Sequence, residues 1–441
     1  MDTVYDVTGK RELFIDHFLI DRMRNVSLVP HFPVEMASDS SKPGGAYVTV
    51  LKDPQQYWLF YREVDSAYKG RMYNNHPGEY VGVAQSPDGL TWTLPELNRF
   101  PGKPVPANTL LYGENAITHN FVPFYDTHPA CKPEERYKAV AGVRETNGLF
   151  AFHSPDGLHW RQYGDTPIIA YAPEKNGGHM LDSQNVVFYS KCEKCYVMYI
   201  RVWKTADGLD HVRSFAKVTS RDFLHWSAPE YLTVNQKGEH LYVSGLAPYQ
   251  RAPHIYIGAA TRYFGDRGSA TDVTMVFSRN GQGIARPYPG AWIRPGLDKE
   301  RWQNRMNYIA WGIVPYGDEL IMYHGRKSLM YKLRADGFVS LTASTMRTGT
   351  IMTRPLYRRK GGLDLNLSTS AGGSIQLELC DKNETPIPGY TFKDMKPYWG
   401  DSLCWRPNWN GRKLSDLPAM AFRLRMKMRE CDLFSIHFPE K

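Results

Sequence analysis

Several short stretches of this sequence bring acids, a histidine and guanidinium groups together. Leu181–Trp203 opens on Asp182-Ser183-Gln184-Asn185 and runs through apolar Val186-Val187-Phe188-Tyr189. It turns over polar Ser190 to Lys194 and returns as Tyr196-Val197-Met198-Tyr199-Ile200 to Arg201. β-Branched and aromatic runs on either side of a short polar turn predict a buried β-hairpin. The open ends of a hairpin lie side by side, so Asp182 and Arg201 share one rim. A carboxylate there is costly unless it is paired or has chemistry to do. Asp182 is therefore the leading catalytic candidate; the plainer alternative is an Asp that caps a turn.

The other candidates fall at the ends of apolar runs. Arg62 and Glu63 follow Tyr57-Trp58-Leu59-Phe60-Tyr61, and Glu114 and His119 lie in Gly113-Glu114-Asn115-Ala116-Ile117-Thr118-His119-Asn120. Tyr249, Arg251, His254 and Arg262 form a third group, and Arg305, Asn307 and Tyr308 a fourth. Glycoside cleavage needs one carboxyl group as proton donor and another as base or nucleophile, about 5–10 Å apart. Asp182 with Glu114 fits that demand, and Glu63 is a third carboxylate. His119 is an alternative proton donor, since imidazole ordinarily titrates near neutrality. Guanidinium forks suit carboxylate or sulfate, so Arg62, Arg201, Arg251, Arg262 and Arg305 point to an anionic ligand. Gln184, Asn185, His254, Asn307 and Tyr308 complete the polar binding set. For each of these the alternative is a satisfied strand-end or loop residue, and for each arginine a structural partner to a nearby acid.

The elements that position these residues are strands. Helical periodicity is nearly absent, and apolar runs of 5 to 9 residues recur between Pro, Gly, Asp and Asn. A turn motif also repeats. Ser86-Pro87-Asp88-Gly89-Leu90-Thr91-Trp92 is echoed by Ser154-Pro155-Asp156-Gly157-Leu158-His159-Trp160 and by Ser220-Arg221-Asp222-Phe223-Leu224-His225-Trp226. Ser278-Arg279-Asn280-Gly281 is a worn fourth copy and Arg334-Ala335-Asp336-Gly337-Phe338 a fifth. In such a turn the Asp caps backbone N–H groups, the Gly takes φ > 0 and the Trp pins the turn to a strand. Five such units predict an all-β fold, a five-bladed β-propeller. The blades are expected over 46–92, 120–160, 182–226, 245–286 and 304–340. The inner strands of a propeller converge on a central funnel, which gathers the candidates above.

The expected organisation is a propeller domain over 1–343, with an N-terminal extension over 1–45 packing on the rest, and a C-terminal β-sandwich over 344–441. The second part alternates cleanly, as in Gly373-Ser374-Ile375-Gln376-Leu377-Glu378-Leu379 and Ala421-Phe422-Arg423-Leu424-Arg425-Met426.

Composition narrows the function class. The chain has 441 residues, 13% of them aromatic, with 11 Trp and 28 Tyr. Such rings suit flat amphipathic ligands such as sugars, or a large β-core. A formal charge of +9 favours acidic partners. The basic residues are scattered singly, with one cluster at Tyr357-Arg358-Arg359-Lys360, so an anionic oligosaccharide or polysaccharide is expected and nucleic acid is not. Cys192 and Cys195 form a CxxC without a second pair or a nearby His pair, so a turn with free thiols or a strained disulfide is expected rather than zinc, and no cofactor is expected. No apolar run is long enough to span a membrane. The first residues carry no signal-peptide core. The protein is thus expected in the cytoplasm or, where a leader has been removed, in the periplasm or outside the cell.

The five blades and the S-x-D-G-x-x-W turns resemble the five-bladed propeller glycoside hydrolases, which include fructanases and arabinanases; the turn alone resembles the Asp-box of sialidases. Leu13-Phe14-Ile15-Asp16, Thr118-His119-Asn120-Phe121, Asp182-Ser183-Gln184-Asn185, Arg251-Ala252-Pro253-His254 and Arg294-Pro295-Gly296-Leu297 are similar to bacterial family-32-like glycosyl hydrolases. The likeness covers nearly the whole chain, including Pro386-Ile387-Pro388-Gly389-Tyr390. It implies a propeller and a role in glycan breakdown. The W-x-N-D-P-N-G, R-D-P and E-C motifs of fructanases are missing from the propeller, so no fructanase catalytic residue is implied.

The leading expectation is an exo-acting glycoside hydrolase on an acidic or modified glycan (uronic, sialic-like or sulfated). A second class is a polysaccharide lyase or metal-dependent deacetylase, with His119 or Tyr308 abstracting a proton or His and Asp holding a metal. A third is a non-catalytic glycan-binding propeller.

Overall fold

The structure is a computed structural model and describes residues 3–70, 78–113, 117–173 and 179–440. Among the described residues there is no α-helix. The chain forms two compact units, Pro33–Lys332 and Met1–Phe32 together with Leu333–Lys441.

The first unit is a five-bladed propeller. Its blades are five separate antiparallel sheets with inner strands Ala46–Lys52, Val122–Tyr125, Val186–Ser190, Ala247–Tyr249 and Val314–Tyr316. Blade one continues through Tyr57–Val64, Glu79–Ser86 and Thr109–Gly113, and blade three through Cys195–Lys204, Asp210–Ser220 and Glu230–Tyr231. The hairpin expected around Asp182 is present, with Val186 opposite Tyr199 and Ser190 opposite Cys195. Blade four has an additional inner segment, His240–Val243, paired with the same long strand as Ala247–Tyr249.

Both faces of a blade are buried against its neighbours, which is why these strands read as continuous apolar runs. The period of two still sorts them. From Tyr57-Trp58-Leu59-Phe60-Tyr61, Tyr57, Leu59 and Tyr61 join Ile321 and Tyr323 of blade five in one core. Trp58 and Phe60 join Tyr137, Phe150 and Phe152 of blade two in another. The hub is stitched by polar contacts: Trp311 N donates to Val48 O at 2.8 Å, and Val50 N to Trp311 O at 2.8 Å.

Three of the repeated turns have the expected chemistry. Asp88 Oδ1 accepts from Leu90 N and Thr91 N, Asp156 Oδ1 from Leu158 N and His159 N, and Asp222 Oδ1 from Leu224 N and His225 N. Phe223 occupies the glycine position of the third turn with φ 72°. The fifth copy is different. Asp336 is buried in the second unit, accepting from Arg11 Nη1 at 3.0 Å and Ser435 Oγ at 2.6 Å. Nor does blade five extend to Ser340: Val339–Ala343 pairs with Val26–Pro30. Its outer strand is Val34–Ala37, which pairs with Leu329–Lys332. The sequence offers no signal for this closure, because Val34-Glu35-Met36-Ala37 shows no more pattern than a loop.

In the second unit, Asp364–Asp381 and Met420–His437 pair along most of their length and recruit strands from both chain ends. The pairing joins ten strands in one network with an apolar core of Leu365, Leu377, Leu424, Met426 and Trp409 among others.

The capped turns yield a stability prediction. Asp156→Ala removes the acceptor for two backbone N–H groups and is expected to lower stability by ~1–2 kcal/mol, read from the denaturant midpoint. Burial raises the Asp156 pKa, but hydrogen bonds from His159 and Leu158 outweigh it and bring it down to about 2. The contribution of Asp156 is thus complete above the ordinary Asp value of about 4 and fades as pH falls toward 2, so the wild-type advantage over Asp156→Ala shrinks on acidification.

Candidate functional site

At one mouth of the hub lies a cavity of about 400 Å³ lined by residues from all around the propeller: Tyr47, Arg62, His119, Asp182, Tyr242 and Tyr308 on its walls, with Asn304, Arg305, Met306 and Arg326 beside them. Turns of unusual backbone conformation deliver several of these groups. Tyr47 (φ 47°) and Arg305 (φ 54°) are themselves left-handed, as are Asn120 (φ 54°), just after His119, and Leu181 (φ 66°), just before Asp182. Non-glycine residues rarely take this conformation, and they cluster where surrounding structure fixes a functional geometry.

The centre of the site is a buried charge chain. Glu79 Oε2 lies 2.7 Å from His119 Nδ1, and His119 Nε2 lies 3.7 Å from Asp182 Oδ1. Glu79 and His119 are 3% and 1% exposed, whereas the Asp182 side chain keeps 26% of its surface open. Arg62 Nη1 lies against the imidazole, 2.9 and 3.1 Å from its two nitrogens, and also reaches Asn120 Oδ1 at 2.7 Å and Glu79 Oε1 at 3.3 Å. Burial pushes the Asp182 pKa up. The nearby His119 imidazole and the charges of Arg201 and Arg62 more than reverse this, and hold the carboxyl well below its usual range. Asp182 is therefore an ionised carboxylate facing the cavity.

A second group surrounds Tyr242. The Arg201 guanidinium carbon lies 4.5 Å from the Tyr242 ring centre and that of Arg213 lies 5.3 Å from it. Arg305 Nη1 approaches the Tyr242 hydroxyl at 3.4 Å. Burial raises the Tyr242 pKa, but Arg201 and Arg305 outweigh it and bring it below the ordinary phenol value. Tyr308 goes the other way: burial and the neighbouring Tyr47 and Tyr242 hold its pKa well above that value.

The residues singled out in the sequence divide. Asp182, His119, Arg62, Arg305 and Tyr308 line the cavity. Arg201 stands behind its wall, donating to Asp182 O at 3.0 Å. Glu63 sits outside the lining, with Arg326 Nη1 at 3.7 Å. Strand alternation separates it from its neighbour: Arg62 shares the blade-two face with Trp58 and Phe60, and Glu63 the opposite face. Glu114 lies outside the described residues. Gln184 does not line the cavity; it crosses the hub to donate to Thr49 Oγ1 at 2.9 Å. Asn185 braces the Asp182 turn, donating to Leu181 O and Ser183 O and accepting from Arg201 N. Arg262 forms a two-pronged pair with Asp272, both distances 2.7 Å, the residue directly opposite it on the next strand. Asn307 is fully buried and accepts from Arg301 Nε at 3.0 Å. Arg251 lies in the tight turn between Tyr249 and Ala252 and His254 on the strand that follows; their neighbours Gln250 and Pro253 line a separate, more apolar cavity.

Sequence reasoning missed Glu79, Tyr47, Tyr242, Arg213 and Arg326. Tyr47 had a signal, since it sits at the start of a predicted inner strand. Glu79 and Tyr242 become site residues only through contacts between blades. Among the described residues no group of three or more His, Cys, Asp or Glu is placed to hold a metal ion. Cys192 and Cys195 are free thiols in the hairpin turn.

No family model and no curated protein matches this chain. Solved structures to which this chain is similar include a β-1,2-mannobiose phosphorylase from Listeria innocua, 15% identical over 66% of this chain and 90% of that one, with a TM-score of 0.47. Others are an α-L-arabinofuranosidase from Clostridium thermocellum (11% identical, 66% and 91% covered, TM-score 0.43) and a family 43 arabinoxylan arabinofuranohydrolase from Bacillus subtilis (10% identical, 91% and 96% covered, TM-score 0.41). These scores assign neither substrate nor catalytic residue to this chain.

The buried chain makes a direct prediction. Glu79→Ala strips Arg62 and His119 of a shared acid in a dry site and is expected to cost about 3–5 kcal/mol in chemical denaturation. Glu79→Gln keeps the shape and is expected to cost less; equal costs would mean that the charge of Glu79 is immaterial.

Proposed function

We propose that the protein hydrolyses glycosidic bonds of an anionic glycan in the hub cavity. The observation that carries this reading is the place of Asp182: a partly exposed carboxylate, 3.7 Å from His119, on a cavity wall otherwise rich in guanidinium and phenol groups, which favour its ionised form. An ionised carboxylate of this kind can accept a proton from water or attack an anomeric carbon, and it suits the base or nucleophile of a glycosidase rather than its acid. His119 holds Asp182 in place, being itself fixed by Glu79. Arg305 and Arg326 give the cavity rim a positive potential that favours a uronate or sulfated sugar over a neutral one.

The test is a screen of uronate-containing and sulfated oligosaccharides with wild type and Asp182→Asn side by side. Wild type is expected to release reducing ends. Asp182→Asn, nearly isosteric, is expected to lose about 10²–10⁴-fold in kcat while retaining binding. Unchanged turnover would remove Asp182 from the mechanism. A product with a new ultraviolet absorbance and no water incorporated would replace hydrolysis by elimination, and binding without turnover by either protein would leave a glycan-binding module.

A further inference from the structure

Among the described residues lining the cavity Asp182 is the one carboxylate, and it is ionised. A hydrolase also needs a group that gives a proton to the departing oxygen. We propose that Tyr242 is that proton donor and that Arg201, Arg213 and Arg305 stabilise the phenolate it becomes. This rests on the hydrolase reading above.

The geometry rests on a contrast among the arginines of the propeller; of the three around Tyr242, Arg201 is buried, Arg213 half-buried and Arg305 exposed. Arg62 has Glu79 at 3.3 Å, Arg262 has Asp272 at 2.7 Å, Arg286 has Glu239 at 2.5 Å and Arg301 has Glu35 at 2.6 Å. Arg201, Arg213 and Arg305 have no carboxylate partner among the described residues. Arg201 donates to a backbone carbonyl, Arg213 Nη1 meets His240 Nδ1 at 3.5 Å, and Arg305 bonds Asn304 and the Tyr242 hydroxyl. The Nε atoms of Arg201 and Arg213 are buried without a hydrogen-bond partner. Arg201 and Arg213 also share two aromatic faces, Trp203 at 5.3 and 4.3 Å and Tyr242 at 4.5 and 5.3 Å. Like charges crowded in this way call for a nearby anion. The group at their centre that can become one is the Tyr242 phenol, which opens on the same cavity as Asp182.

The other groups facing Tyr242 are compatible with this role. Asp182 opposes loss of its proton, Tyr47 on the same cavity wall is kept protonated by burial and by Tyr242, Tyr308 and Tyr263 pack edge-on and tilted at 5.9 and 5.5 Å, and His240 is held toward its neutral form by burial and by Arg213 and Arg201. In the step, the Tyr242 O–H bond breaks and its proton passes to the glycosidic oxygen, which keeps the electron pair of the breaking C–O bond. Water adds to the anomeric carbon and gives up a proton to Asp182, and a proton from Asp182 or solvent restores the phenol.

The experiment combines a tyrosine titration with leaving-group kinetics. Ultraviolet titration of wild type is expected to show one tyrosine ionising below the others, absent in Tyr242→Phe and moved to higher pH in Arg213→Gln. On aryl uronides whose leaving groups need no protonation, Tyr242→Phe is expected to stay within about tenfold of wild type. On oligosaccharides it is expected to fall at least 10²-fold. The alkaline limb of kcat/KM is expected to rise in pH in Arg213→Gln. Equal losses on both substrate classes, or an alkaline limb unmoved by Arg213→Gln, would overturn the donor role while hydrolysis itself stands. No turnover of any glycoside by wild type would overturn the hydrolase reading, and the donor role with it.

Discussion

The site depends on one buried carboxylate. Glu79 lies in a dry interior, where an unpaired charge is prohibitively costly, and its two oxygens are taken up by His119 and Arg62. That arrangement fixes the imidazole by Nδ1 and leaves Nε2 aimed at Asp182. Glu79 comes from blade one, His119 from the loop before blade two and Asp182 from the loop before blade three. A single acid therefore touches groups that bring together three blades, while Asp182 itself is kept ionised by His119, Arg201 and Arg62.

Propeller geometry explains why these groups meet. Each blade buries both faces, so a polar side chain on an inner or second strand must find its partner on the adjacent blade or, as Arg262 does in Asp272, on the neighbouring strand. Arg62 continues the row of Trp58 and Phe60 and therefore meets blade-two residues. Glu63 continues the row of Tyr57, Leu59 and Tyr61 and meets Arg326 of blade five. Neighbours in sequence thus serve different interfaces, and one of them enters the cavity while the other stays at its rim.

This sorting also marks how far the sequence could be read. The blade number, the capped turns of blades one to three and the Asp182 hairpin were legible because they are local: alternating runs, S-x-D turns and two strands joined by a short loop. Five candidates were found lining the cavity because each lies beside the start of an inner strand or at the end of a second one. The sequence could not distinguish Arg62, open to the cavity, from Arg262, engaged by Asp272 across the ladder, since both are arginines at the end of an aromatic strand. Gln184 and Asn185 were grouped with Asp182 by adjacency, yet their amides hold the loop and hub together. Glu79 and Tyr242 escaped because their significance lies in partners 40 and 60 or so positions away along the chain. Asp336 misled because a turn of the right composition served a different unit.

The strand Val34–Ala37 is made before any blade, yet it is the outer edge of the last one. During synthesis it has no partner until Leu329–Lys332 has emerged, nearly three hundred residues later. Four blades can assemble as the ribosome releases them, but the ring cannot shut until its earliest and latest pieces meet. Until then an unpaired edge stands exposed on the nascent chain, a template for pairing with other molecules. The acidic Glu35 within that strand, taken up by Arg301 once the ring is closed, places a charge on this edge while it waits.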